Sequence, residues 1–277
     1  MEAQGRVPNL VPAVLRDVRE TLQMRWVDTA VARAAQYPVF FTAAWSAIRP
    51  NVGPTFLAAS RSIRDLADAG IGELEVPSHR EWAAKARLEN DDVSEIEALL
   101  RAFHESVPKT AIVVHALARA ARGRPAGGSG AEEAPSKRGV PTWHPHVTFD
   151  VPEEADRVLE EAAKRLKADR PPDVLAALAG WPAYAGRAWR DSRRAVSSDA
   201  WAKAHARIRR AVGEAVRGLP HVISLQWSAL KDRGFTEEER RDVGDLLARH
   251  DAAMPGAVLL GTYLWRAAGS PQGAKGA

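Results

Sequence analysis

The sequence has 277 residues, of which 45% are hydrophobic and 27% charged, as in a folded protein with a sizeable core. Its formal net charge is only +4 and arginines are interleaved with acidic residues, which does not favour nucleic-acid binding but suits a small anionic substrate. The absence of cysteine excludes disulfides, cysteine nucleophiles and thiolate-bound metals.

Apolar residues recur at helical spacing along most of the chain, and no convincing stretch alternates polar with apolar residues, so the sequence predicts an all-α fold. Before residue 122, the predicted helices lie within 1–23, 27–37, 38–50, 55–69, 78–88, 92–103 and 108–117. The last of them is predicted to open at Pro108. A later helix is predicted at 151–166, and residues 173–189 are apolar at helical spacing with one break at Pro182. Capping-box patterns at 78–81 and 236–239 predict two helix starts.

The composition changes between residues 123 and 141, where glycine, proline and small polar residues predominate. Such a segment cannot bury a core and is typical of a linker. We therefore predict an N-terminal helical repeat at 1–122, a linker at 123–146, a C-terminal helical repeat at 147–268 and a disordered tail at 269–277. No apolar run resembles a signal peptide or reaches the ~20 residues of a membrane helix, which predicts a cytoplasmic protein that does not bind membranes.

The two predicted repeats are alike in sequence. Residues 181–193 follow the pattern of residues 37–49, in which an aromatic residue precedes a proline and an Ala-Trp pair and an arginine come after it. A second block recurs at one constant offset, with Ile96, Leu99, Leu100, Pro108, Leu117 and Arg119 matching Val243, Leu246, Leu247, Pro255, Leu264 and Arg266. We therefore predict two tandem repeats related by a pseudo-twofold axis, as in a dimer, with a ligand cleft between them. The sequence is also compatible with a homodimer of whole chains.

Asp173 distinguishes the second repeat from the first, whose matching residue is Thr29. It follows Pro171 and Pro172 and opens a predicted helix, so one interpretation is an N-cap whose carboxylate accepts a backbone N–H. The other interpretation is a general base in a largely apolar cleft, where a helix N-terminus favours the ionised form that a base requires. These residues alone leave both interpretations open. Trp26 is predicted to supply an aromatic wall on the opposite side of the cleft.

Other candidate sites carry weaker signals. His144 and His146 have a spacing seen in metal sites, but no third ligand is anchored nearby, so no metal site is predicted. His115 lies among apolar residues, which is typical of a core histidine with a satisfied partner. His205 and His250 have charged neighbours and are predicted to lie on the surface. No serine has the context of a nucleophile elbow, and the glycine-rich segment lacks the form of a phosphate loop.

Four segments together resemble the group I 2-haloacid dehalogenases, which act without a cofactor on both D- and L-2-haloalkanoic acids. The segments are Leu22-x-x-x-Trp26, Phe103 to Pro108-Lys109, Leu178-Ala-x-Trp-Pro182 and Arg217-Gly-Leu-Pro220. The resemblance covers most of residues 15–268. It implies an all-α fold of two similar repeats with the substrate pocket between them.

The resemblance also implies a reaction. Asp173 is the implied catalytic base, which takes a proton from a water molecule as this water attacks Cα of a 2-haloacid carboxylate. Halide then leaves with inversion, and no covalent enzyme intermediate forms. The positions implied to bind the substrate are Trp26, Thr29, Val107, Thr110 and Pro172. Substrate and water are the only partners that this chemistry needs.

The chain departs from the family pattern at four of these positions. Val107 stands where the family has an asparagine that helps to hold the water, and Thr110 replaces a pocket tyrosine. Pro172 replaces the serine before the aspartate, and Thr29 replaces an aromatic residue. Because a valine side chain cannot hydrogen-bond water, transition-state stabilisation is expected to be weaker. The alternative function is therefore a catalytically silent or substrate-shifted relative that binds a small anionic ligand in the cleft.

Overall fold

A computed structural model describes residues 10–86, 88–130, 147, 151–166 and 168–269. Within these residues the chain is helical and forms no strand, which confirms the predicted all-α fold. The described helices include none with the length and hydropathy that crossing a membrane requires.

Twelve α-helices are described, six before and six after the glycine-rich segment. The first six are α1 (Val11–Leu22), α2 (Thr29–Ala34), α3 (Pro38–Ile48), α4 (Pro54–Gly72), α5 (Arg80–Lys85) and α6 (Asn90–Ala121), with a short 3-10 turn at Arg49–Asn51. The other six are α7 (Glu153–Arg165), α8 (Asp173–Leu178), α9 (Pro182–Val196), α10 (Asp199–Arg217), α11 (Trp227–Asp232) and α12 (Glu237–Ala267).

Local sequence accounts for several helix starts. Helices α3, α4 and α9 each begin with a proline, whose missing N–H would be unpaired in the first turn of any helix. The predicted capping box at 236–239 is present at the start of α12, where Thr236 and Glu239 bond each other's backbone. The box predicted at 78–81 was wrong. Helix α5 starts at Arg80 without a side-chain cap, and His79 instead donates its backbone N–H to the carbonyl of Ala267 at 2.7 Å.

The two long helices α6 and α12 form the centre of the fold, since they pack on each other more extensively than any other pair of described helices. The prediction that Pro108 opens a new helix was wrong, because α6 runs through it without a break. A proline inside a helix loses one hydrogen bond, but the residues on both sides of Pro108 are buried in the core, and their packing outweighs that loss. Pro255 lies inside α12 in the same way.

Helices α4 and α10 pack side by side at one flank of this centre. At their crossing, a Cβ atom added to Gly70 would lie 2.7 Å from the Cβ of Ala204. The approach is closer than real side chains allow, so the crossing requires glycine.

The first part of the predicted linker is docked on the rest of the chain. Ala126 and Ile223 exchange two backbone hydrogen bonds of 3.1 and 2.8 Å, and Gly128 donates to the carbonyl of Leu219 at 2.8 Å. Gly127 has φ +75°, and a Cβ there would clash with the carbonyl oxygen of His221, so this position also requires glycine. Residues 131–146, with the histidine pair predicted not to bind metal, and the tail from 270 lie outside the described residues.

Candidate active site

A cavity of about 360 Å³ lies where α8 meets α2, α6, α10 and α12. Such a volume suits a small organic molecule. Much of its wall is apolar and includes Phe103, Val107 and Met254. Three carboxyl groups, from Asp28, Asp169 and Asp173, also line it, and those of Asp28 and Asp173 interact with each other.

Asp173 is positioned by its contacts with Thr29. It is the first residue of α8, and Pro172 is the N-cap of that helix, so the interpretation of Asp173 as the cap of its own helix was wrong by one residue. Its carboxylate instead accepts two hydrogen bonds from Thr29, one from the backbone N–H to Oδ2 at 2.8 Å and one from Oγ to Oδ1 at 2.6 Å. Because Thr29 begins α2, Asp173 satisfies an end group of a helix from the other half of the chain.

Asp28 is the second carboxyl group of the site and was not among the residues selected from the sequence. It is the N-cap of α2 and accepts a 2.9 Å hydrogen bond from the backbone N–H of Ala30. Its side chain is almost buried, at 7% exposure. An aspartate directly before a short helical run is a recognisable N-cap pattern, and this signal was available in the sequence.

The carboxyl groups of Asp28 and Asp173 lie in the same environment, but different interactions act on their pKa values. Burial raises the pKa of Asp28 well above its ordinary value, and the neighbouring charge of Asp173 raises it further. Burial raises the pKa of Asp173 too, but hydrogen bonds from Thr29 and Asp28 and the charge of Arg170 oppose that rise. A proton shared by the pair therefore favours Asp28, and Asp173 ionises before it as pH rises.

The cavity wall also contains basic residues. Arg165, Arg170 and Arg249 line it, and Arg249 pairs with Asp169. His205 and His250 also line the cavity, so the prediction that they lie on the surface was wrong. Burial lowers the pKa of His250 to about 4, with the charge of Arg33 acting in the same direction, so His250 is neutral at physiological pH. The cavity therefore combines carboxyl groups with arginines that attract an anion.

Four of the six residues selected from the sequence line this cavity, namely Thr29, Val107, Pro172 and Asp173. Trp26 lies one layer behind, where its ring packs on that of Phe103 with centroids 4.6 Å apart. Thr110 is buried at 2% exposure and also lies outside the cavity wall. Its hydroxyl donates to the carbonyl of Ser106 at 3.4 Å.

Metal-ligating side chains do not cluster near these carboxyl groups. In the part of the chain that the structure describes, no three histidine, aspartate or glutamate side chains converge as a metal site would need.

Comparison with known proteins identifies the family. The family model described as "Halocarboxylic acid dehydrogenase DehI" matches residues 25–169, more than half of the chain. A relative from Pseudomonas sp. (strain 113), described as "2-haloacid dehalogenase, configuration-inverting", is 25% identical over 249 residues, which cover 86% of this chain and 79% of the relative. The fold is similar to that of a D-2-haloacid dehalogenase in complex with L-LA, with a TM-score of 0.85 at 20% identity over 95% of this chain and 94% of the other. A mutant D-2-haloacid dehalogenase with D-2-CPA matches with the same TM-score and identity over 95% of this chain and 93% of the other. The chain thus belongs to the DehI family of 2-haloacid dehalogenases, hydrolases that act on carbon–halide bonds.

Proposed function

We propose that this protein hydrolyses 2-haloalkanoic acids of both configurations without a cofactor, and that Asp173 is the general base. The observation that carries the proposal is the carboxylate of Asp173, which is held by two hydrogen bonds from Thr29 at the wall of a largely apolar cavity of about 360 Å³. Membership of the dehalogenase family supports the reaction class.

The proposed step is a direct displacement. Asp173 accepts a proton from water while the water oxygen forms a bond to Cα of the haloacid. The carbon–halogen bond breaks on the opposite side of Cα, and the halide leaves with the electron pair of that bond, so the configuration inverts. Because water attacks and no enzyme group bonds to carbon, either enantiomer is able to react when water reaches the face opposite its halogen.

The charges around the cavity suit an anionic substrate. Arg165 and Arg170 lie at its wall and attract the substrate carboxylate. A second ionised carboxylate beside Asp173 would repel that anion. Burial raises the pKa of Asp28, which favours the neutral form of its carboxyl group and so lessens this repulsion.

We further propose that residues 1–122 and 147–268 are tandem repeats about a pseudo-twofold axis. Helices α2 and α8 contain six residues each and α4 and α10 contain 19 each, while α6 and α12 both have an internal proline. Thr29 and Asp173 occupy matching positions in the two repeats and bond each other, as expected for positions on such an axis.

Thr29→Val should shift the acid limb of the activity profile to higher pH. The substitution removes the Oγ donor to Asp173 and keeps the backbone N–H donor, so the pKa of Asp173 should rise further and less base should be ionised at a given acidic pH. The measurement is kcat/KM against pH for both proteins. Thr29→Ser keeps the hydroxyl and serves as the control. If the acid limb of Thr29→Val lies at the same pH as that of the parent protein, the hydrogen bond from Thr29 Oγ does not lower the pKa of Asp173.

Val107→Asn should raise the rate of halide release by about tenfold, because the amide supplies a polar partner for the attacking water. Val107 is 6% exposed and lines the cavity, so the amide would lie at the cavity wall. Burying an amide is expected to cost about 1–3 kcal/mol of stability if it is only partly satisfied. Val107→Leu is the apolar control. If the asparagine variant is no faster than the leucine variant, this position does not limit the reaction.

The experiment that tests the proposed function is a chloride-release assay on separate D- and L-2-chloropropionate, with the configuration of the lactate product determined for each. We expect both substrates to release chloride and to give lactate of the opposite configuration. Retention of configuration, or racemic lactate from a single enantiomer, would contradict direct displacement.

Val107 favours a second candidate function, binding of a small anionic ligand without turnover. This alternative predicts that neither enantiomer releases chloride. It also predicts that 2-chloropropionate raises the melting temperature in a concentration-dependent way, as a ligand of the folded state does.

A further inference from the structure

A second cavity, of about 460 Å³, lies between α6 and α10, outside the candidate active site. Basic side chains dominate its lining, which we call the arginine groove: His115, Arg119, His205, Arg209, Arg210 and Arg217. Ala206 and Gly213 complete the lining, so no carboxylate among the described residues contributes to it.

The basic residues follow helical spacing. On α10, His205, Arg209, Gly213 and Arg217 are four residues apart, so they form a stripe along one face of the helix. Arg119 lies one turn after His115 on α6 and faces this stripe. Two helices therefore contribute basic side chains to the same groove.

The lining of the groove contains no acidic side chain among the described residues. Arg207, on another face of α10, pairs with Glu73 at 2.8 Å. Arg209, Arg210 and Arg217, by contrast, line the groove together, so their positive charges face one concave space.

The floor of the groove is open and its polar groups converge. A Cβ added to Gly213 would lie 3.7 Å from Nη1 of Arg217 and 4.0 Å from Nε2 of His115, so both nitrogens lie above the glycine. Nδ1 of His115 is held by Asp251 at 2.9 Å, which leaves Nε2 to the groove. His115 thus has the partner predicted for a core histidine, but its other nitrogen is available to a ligand.

We propose that the arginine groove binds a small, multiply charged oxyanion of the phosphate class. Guanidinium groups bind phosphate oxygens through two parallel hydrogen bonds, and several of them around one concave space suit a diphosphate better than a singly charged halide or carboxylate. His205 lines both the groove and the candidate active site, so the two sites share one wall. The proposal does not depend on dehalogenase activity.

The test is isothermal titration of the full chain with inorganic pyrophosphate at low and high salt. We expect one site per chain whose affinity falls as salt screens the charges.

The double variant Arg209→Ala/Arg217→Ala should weaken binding by about tenfold or more. Gly213→Leu, which fills the floor without changing the charge, should weaken it similarly. Arg157→Ala/Arg190→Ala removes the same charge from exposed positions outside both cavities and should leave binding within about twofold.

Three results would overturn the proposal. The first is the absence of saturable binding of pyrophosphate. The second is equal weakening in the Arg157→Ala/Arg190→Ala control, which would indicate diffuse attraction to a basic surface. The third is loss of binding in Arg165→Ala/Arg170→Ala with retention in both groove variants, which would place the anion in the candidate active site.

Discussion

Asp173→Asn is expected to lower the rate of halide release by about a thousandfold or more, because an amide cannot accept the proton of the attacking water. The fold should persist, since asparagine has the same shape and its oxygen is still able to accept one of the two hydrogen bonds from Thr29. The melting temperature should therefore change by only a few degrees. The measurement is chloride release under saturating substrate together with a thermal melt.

The matched control is Asp169→Asn. It removes one negative charge from the wall of the same cavity, but Asp169 pairs with Arg249 and does not contact Thr29. We expect the rate of this control to fall by less than about tenfold. The substitution removes only the attraction between Asp169 and Arg249, which solvent near the surface screens. A folded Asp173→Asn protein with undiminished chloride release would refute the assignment of the base. Equal losses in both variants would point instead to a general effect of charge in the cavity.

Asp28→Asn is expected to remove the alkaline limb of the pH profile. In the parent protein the pKa of Asp28 is raised well above 3.8, so Asp28 ionises only at higher pH, where its charge then repels the substrate carboxylate and kcat/KM falls. Asparagine does not ionise, so kcat/KM of the variant should stay level on the alkaline side. The acid limb, which reports the ionisation of Asp173, should remain in both proteins. If the alkaline limb persists in Asp28→Asn, that limb does not report the ionisation of Asp28.

The same substitution should stabilise the protein, by a few degrees in melting temperature at neutral pH. Because the folded state holds the proton of Asp28 more tightly than the unfolded state does, parent stability falls as pH rises from 3.8 through the raised pKa. The advantage of Asp28→Asn should grow over this window and then stay constant. Asp28→Ala separates the effect of the charge from that of helix capping. Alanine also loses the hydrogen bond from the N–H of Ala30, and this loss costs about 1 kcal/mol of stability.

The sequence was sufficient to predict which residues of the two halves come together. Thr29 and Asp173 occupy matching positions in the two similar halves of the sequence, and they contact each other directly. Val107 and Pro172 line the same cavity. The contact between Thr29 and Asp173 is what the proposed pseudo-twofold axis predicts, whereas Val107 and Pro172 were selected from the resemblance to the dehalogenases.

Other features depend on packing that local sequence does not encode. Asp28 has the sequence context of an ordinary N-cap, and its raised pKa arises only because the fold buries it beside Asp173. Trp26 was predicted at the cavity wall, but Phe103 lies between it and the cavity. Pro108 has the local character of a helix start, yet the burial of its neighbours keeps α6 continuous.

In the proposed mechanism, water activated by Asp173 attacks carbon directly. The most direct measurement is a single turnover with enzyme in excess over 2-chloropropionate, in water labelled with the heavy oxygen isotope. Direct attack predicts labelled oxygen at the hydroxyl of the first lactate formed and an unlabelled Asp173. Unlabelled lactate in the first turnover, with the isotope appearing in the carboxylate of Asp173, would instead demonstrate a covalent ester and contradict the mechanism.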